Sequence, residues 1–71
     1  MAEVGFATLT RRELSVWTLI AEGMSTKQVA GALGISFKTT CTHRSHIMDK
    51  LGIHEVATLT RYAIRRKLII A

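Results

Sequence analysis

The feature that most constrains this 71-residue chain is a three-residue punctuation used twice: Gly23-Met24-Ser25 and, eleven positions on, Gly34-Ile35-Ser36. In each, glycine supplies the left-handed residue that closes a helix without a Cβ penalty. An apolar link follows, and serine accepts the orphan N–H groups that open the next helix. Between the two stops lies one short helix, Thr26 to Leu33. A short helix, a tight glycine turn and a longer helix leaving at a steep angle form a helix-turn-helix, the device that pushes a helix end into the DNA major groove.

The flanking segments carry equally local signals. In Leu9-Thr10-Arg11-Arg12-Glu13-Leu14, Thr10 and Glu13 have the spacing of a capping box, with Leu9 and Leu14 as the hydrophobic staple across it. Val16, Trp17 and Ile20 then share an inward face, with Trp17 at its centre, and the helix stops at Gly23. Ser25 with Gln28 and Met24 with Val29 repeat the device; Val29, Ala30 and Leu33 form the second buried face, where the small Ala30 lets the next helix approach closely.

The third helix, about Phe37 to Leu51, is closed by Gly52 and turns Thr40, His43, Ile47 and Leu51 inward. Its opposite stripe, Lys38, Cys41, Thr42, Ser45 and Asp49, is almost free of large apolar groups and is flanked by Lys38, Arg44 and Lys50, a face suited to a groove floor. The fourth helix, about Glu55 to Lys67, is expected to bury Val56, Leu59, Thr60 and Ala63. A second face of Ala57, Arg61, Ile64 and Leu68 points to a partner helix, so this helix is expected to make a dimer. Arg65-Arg66-Lys67 suits a helix C-terminus, where cations complement the dipole. The expected fold is therefore all-α: a compact four-helix domain, core about 9–69, containing a helix-turn-helix.

Composition supports a polyanionic partner without establishing one: ten Lys and Arg against five acids give +5 and a pI near 10.2. A chain this short buries only about 60% of its unfolded surface, so its stability is expected below about 5 kcal/mol. The lone Cys41 permits no internal disulfide, and with no signal-peptide pattern it points to a cytoplasmic setting. The longest apolar runs are a few residues, too short for a membrane span.

Leu9-Thr10-x-Arg12-Glu13, Ala21-Glu22-Gly23-x-Ser25-x-Lys27, Ala30-x-x-Leu33-x-Ile35-Ser36, Thr39, His43-Arg44, Ile47-Met48-x-Lys50-Leu51-Gly52 and Tyr62-Ala63 together resemble the DNA-binding domain of LuxR-type, or NarL/FixJ, transcription regulators. The resemblance spans Leu9 to Ile69. It implies a two-fold dimeric reader of double-stranded DNA that regulates transcription. The third helix would lie in the major groove and the fourth would make the dimer, at the C-terminal end of a longer regulator with a receiver or sensor domain. The chain departs from the family pattern at Thr40, usually aliphatic; at Trp17, usually Leu; and at Val56 and Thr58, where Arg and Glu are common.

On this reading Lys38, Cys41, Thr42 and Ser45 face base edges, since Lys donates to guanine, the Thr methyl meets thymine, and hydroxyls serve either kind of edge. Lys27, Ser36, Thr39, Arg44 and Lys50 contact phosphates. Ala57, Arg61, Ile64 and Leu68 form the homodimer contact, and RNA polymerase is a further partner the reading admits. The bland alternatives are ordinary solvated lysines and an inert, space-filling Cys41.

Cys41 and His43 point to nearly opposite sides of a helix, leaving only His43 and His46 able to share a face, so no metal site is expected. His43 reads instead as a partly buried ring with one N–H near the DNA backbone. No cofactor, small-molecule ligand or enzymatic pocket is expected: the chain has no paired-carboxylate site, no shielded Ser-His-Asp set and no glycine-rich phosphate loop. Two rivals stay open, promoter recognition as a sigma-factor region 4 and a basic helical module that binds an acidic protein.

Overall fold

The capping residues predict where the first three helices begin, and the computed structural model, which describes residues 7–69, begins them there: α1 (Arg11–Ala21), α2 (Thr26–Leu33) and α3 (Phe37–Leu51), followed by α4 (Val56–Arg65). Both capping boxes are closed. Thr10 Oγ1 accepts the Glu13 N–H at 3.1 Å while Glu13 Oε1 accepts the Thr10 N–H at 2.9 Å. Ser25 and Gln28 do the same at 3.1 and 2.8 Å. The Leu9–Leu14 staple residues both pack against the core. The fold is all-α, with no strand among the described residues.

All four helices end in the same way. The N–H two or three residues past each helix reaches back to a carbonyl in the last turn: Met24 to Leu19, Ile35 to Ala30, Ile53 to Met48 and Leu68 to Ala63, at 2.9 to 3.1 Å. Gly23 at φ +100° and Gly34 at φ +67° supply the left-handed residue that the two punctuation signals require. The fourth ending uses Lys67 at φ +62°, the only described non-glycine residue in that region. No glycine announces this stop, which is why α4 was expected to reach Lys67 and in fact ends at Arg65.

Val16, Trp17, Ile20, Ala21, Val29, Ile47, Leu51, Leu59 and Ala63 form one core, with Trp17 fully buried. Its indole N–H donates to the Leu59 carbonyl at 3.1 Å, and its ring centroid lies 5.5 Å from that of Tyr62, so this one side chain ties α1 to α4. α3 packs against both α1 and α2, and α4 rests on α1. Thr40, a polar residue on the inward stripe of α3, is fully buried and donates its hydroxyl to the Ser36 carbonyl at 2.9 Å, which satisfies the group within its own helix.

Val56, expected in the core, is 42% exposed. It is the first residue of α4, and its helix has no side-chain cap to draw that turn inward. Leu68, expected on the outward stripe of α4, lies beyond the left-handed Lys67 and folds back onto the core.

Glu13 is the buried acid of the fold, 3% exposed. Its Oε1 accepts from the Thr10 N–H and from Lys50 Nζ at 2.8 Å, while Lys50 also donates to the Thr8 carbonyl at 3.0 Å. The start of α1 is thus bolted to the last turn of α3. Burial alone pushes the Glu13 carboxyl up. The Lys50 and Thr10 hydrogen bonds, with the charges of Lys50 and His46, outweigh it and hold the carboxyl below its ordinary value of 4.5.

Candidate nucleic-acid interface

The outward stripe of α3 is exposed along its whole length: Lys38, Cys41, Thr42, Ser45 and Asp49 all face solvent. Thr42 donates its hydroxyl to the Lys38 carbonyl at 3.1 Å, so its methyl and its oxygen lone pairs remain for an approaching edge. Cys41 is a free, exposed thiol.

The N-terminus of α3 is organised by Ser36, whose Oγ accepts the Thr39 N–H at 3.0 Å and donates to Thr39 Oγ1 at 2.8 Å. Thr39 therefore accepts from Ser36 and keeps its own O–H to give outward, and the remaining first-turn N–H groups add the positive end of the helix dipole. Phe37, 57% exposed, follows directly and leaves this end of the helix open to solvent.

Arg44 lies on the flank of α3. It lines a groove of about 500 Å³ together with Met24, Ser25 and Thr26 at the start of α2 and Val56 and Thr60 of α4. The structure thus brings Arg44 beside the second capped helix start, from which exposed Lys27 projects one residue further on. Lys50 is placed differently from expectation. Its ammonium is held between Glu13 and Thr8, so its charge is already neutralised by a buried carboxylate and it braces α3 from behind.

His43 is half-buried, with Nδ1 enclosed and without a partner. His46, 58% exposed, turns Nδ1 toward Glu13 Oε2 at 3.8 Å. Sequence reasoning gave Glu13 no role beyond the cap and weighed His46 only as a metal ligand, because the two residues that meet are more than thirty positions apart in the chain. Among the described residues no cluster of three or more His, Cys, Asp or Glu is close enough to hold a metal ion.

This arrangement, two capped helix starts flanked by cations and a groove-sized face of small polar side chains, coincides with a match over residues 7–63 to the family of bacterial regulatory proteins of the luxR type. The chain belongs to the luxR family. It is accordingly a LuxR-type helix-turn-helix domain of DNA-binding transcription regulation, which decides against a sigma-factor region 4. The oxygen regulatory protein NreC of Staphylococcus aureus, in strains JH9, Mu3 and bovine RF122, is 42% identical over 64 residues, covering 90% of this chain. The chain spans 30% of the length of these curated relatives. Among the described residues no helix is long and apolar enough to cross a membrane.

Proposed function

We propose that the domain reads double-stranded DNA by laying the N-terminal half of α3 in the major groove. Lys38, Cys41, Thr42 and Ser45 face base edges, and Lys27, Ser36, Thr39 and Arg44 hold the flanking phosphates. The observation that carries this reading is the Ser36 cap of α3, whose Oγ accepts the Thr39 N–H at 3.0 Å and donates to Thr39 Oγ1 at 2.8 Å beside the exposed stripe. Phosphate contacts fix the register of the helix, and the stripe supplies the sequence preference. With its hydroxyl hydrogen turned back to Lys38, Thr42 suits the methyl of a thymine.

Two copies are needed for a site of useful length, because one recognition helix spans only a few base pairs. Ala57 and Arg61 are exposed and Ile64 is half-buried on the free side of α4, which supports a small two-fold contact formed on DNA. Leu68 drops out of that contact because it is used by the core. Thr58 accepts from Arg61 at 3.4 Å and donates to Glu55 at 2.9 Å, a relay that tethers the Arg61 guanidinium where it would otherwise meet its symmetry mate. The domain serves as the DNA-reading end of a longer regulator controlled by a receiver or sensor domain; the length of the relatives supports this.

The test sorts the two faces. Replacing Lys27 or Arg44 with Ala is expected to weaken binding to all duplexes alike and to reduce the slope of log K against log salt by about 0.9 for each lost phosphate contact. Replacing Thr42 or Ser45 is expected to change which sequence is preferred. The reverse pattern would overturn the assignment.

A further inference from the structure

The Glu13 carboxylate holds two cationic or potentially cationic partners, and only one of them is spent. Oε1 binds Lys50 at 2.8 Å, forming a neutral pair at the back of α3. Oε2 faces Nδ1 of His46 at 3.8 Å. The buried carboxylate, itself fixed by the Thr10 N–H, lies on the Nδ1 side of the imidazole. Nε2, on the far edge of the ring, has no partner among the described residues. His46 stands seven residues, about 10.5 Å along the helix axis, beyond Thr39. Seven residues is close to two turns, so the two side chains lie on the same flank of α3.

We infer that His46 is a further DNA-contacting residue: its protonated ring, with Nδ1 on the side of Glu13, donates Nε2–H to a phosphate oxygen on the strand that Thr39 also touches. The inference rests on the placement of α3 in the groove. The charged group facing the ring is Glu13 from α1, with Lys50 on the same carboxylate; on α3 itself the titratable His43 and Asp49 stand three residues to either side of His46. No ion pair from α2 or α4 reaches it among the described residues. Lys50 cancels Glu13, so the charge this trio presents to the DNA is that of the His46 ring, with Asp49 the acidic neighbour on the outward stripe. Lys50, the cation expected on phosphate, is replaced in that role by the histidine beside it.

The experiment measures binding of the intact chain to a mixed-sequence duplex of about 20 base pairs at pH 8 and pH 6, with His46→Asn and His46→Arg alongside the parent and folding checked by circular dichroism. The parent is expected to bind roughly fivefold tighter at pH 6, with a salt slope steeper by about 0.9. His46→Asn loses both changes, while His46→Arg holds the tighter affinity and steeper slope at both pH values. A merely structural role for the ring would leave the salt slope the same at both pH values. Retention of the pH effect by His46→Asn, which would assign it to His43 or His54, overturns the inference. So does an Arg variant that binds no better than the Asn variant at pH 8. If the parent fails to bind the duplex at pH 6, the reading of α3 as a DNA-reading helix falls, and this inference with it.

Discussion

Glu13 Oε1 and Lys50 Nζ, 37 residues apart in the chain, meet at 2.8 Å and join the capped start of α1 to the last turn of α3. The same oxygen closes the α1 capping box, so one carboxylate sets both where α1 begins and how α3 leans on it. Glu13→Gln keeps the capping geometry, because an amide carbonyl can still accept the Thr10 N–H, and it removes only the ion pair. It is expected to cost about 1 to 2 kcal/mol in urea unfolding. Lys50→Met leaves a buried carboxylate without its cation and should cost at least as much.

Acid should act through the same carboxyl. Glu13 titrates below its ordinary value of 4.5 in the folded chain, so its contribution to stability is fully present above that value and is lost as pH falls through the lower, folded one. The melting temperature of the parent is expected to drop in this range. That part of the drop should be absent in Glu13→Gln, as a pH series of thermal melts would show.

Trp17 is fully buried and its N–H is used by the Leu59 carbonyl. Trp17→Ala should cost about 3 to 5 kcal/mol, enough to unfold most molecules of so small a domain. Trp17→Phe retains most of the apolar volume and isolates the lost hydrogen bond and the cavity beside it. It should remain folded with a lower melting temperature, and a melt resembling that of the parent would contradict the core described here.

Lys67 holds a left-handed conformation at φ +62° that a side chain opposes. Lys67→Gly removes the steric cost and is expected to stabilise the chain by up to about 1 kcal/mol, part of the gain being offset by the greater freedom of glycine in the unfolded chain. Thermal melts compare the two directly; a destabilised glycine variant would mean that the Lys67 side chain supplies more than the turn.

Dimerisation on DNA is checked on an inverted repeat with half-sites about 10 base pairs apart. Ala57→Lys places a cation in the two-fold contact at a position exposed in the single domain, and Ile64→Asp places a carboxylate there. Both should abolish cooperative filling of the two half-sites while leaving single-site affinity close to that of the parent. Gel shifts in which the variants fill the repeat as cooperatively as the parent would remove α4 from the contact.

The legible parts of this fold were those written in short range. Thr10-x-x-Glu13 and Ser25-x-x-Gln28 announce helix starts because both partners of each hydrogen bond sit within one turn, and Gly23 and Gly34 announce the ends. The solvent-facing stripe of α3 followed from helical periodicity alone. What the chain did not disclose depends on tertiary pairing. Lys50 reads as one more surface cation until Glu13 is found beneath it. Leu68 reads as an extension of the α4 stripe until the backbone reverses at Lys67, a stop that carries no glycine. His46 has no local signal, since the carboxylate it faces lies on another helix.

The most direct test of α3 as the DNA-reading helix is an amide-shift titration of the labelled domain with a duplex selected from a random library. The largest shifts are expected at Ser36 to Ser45, with a second group at Ser25 to Lys27 and none of comparable size along α4 on a single half-site. Shifts concentrated on α4, with α3 unmoved, would contradict the assignment.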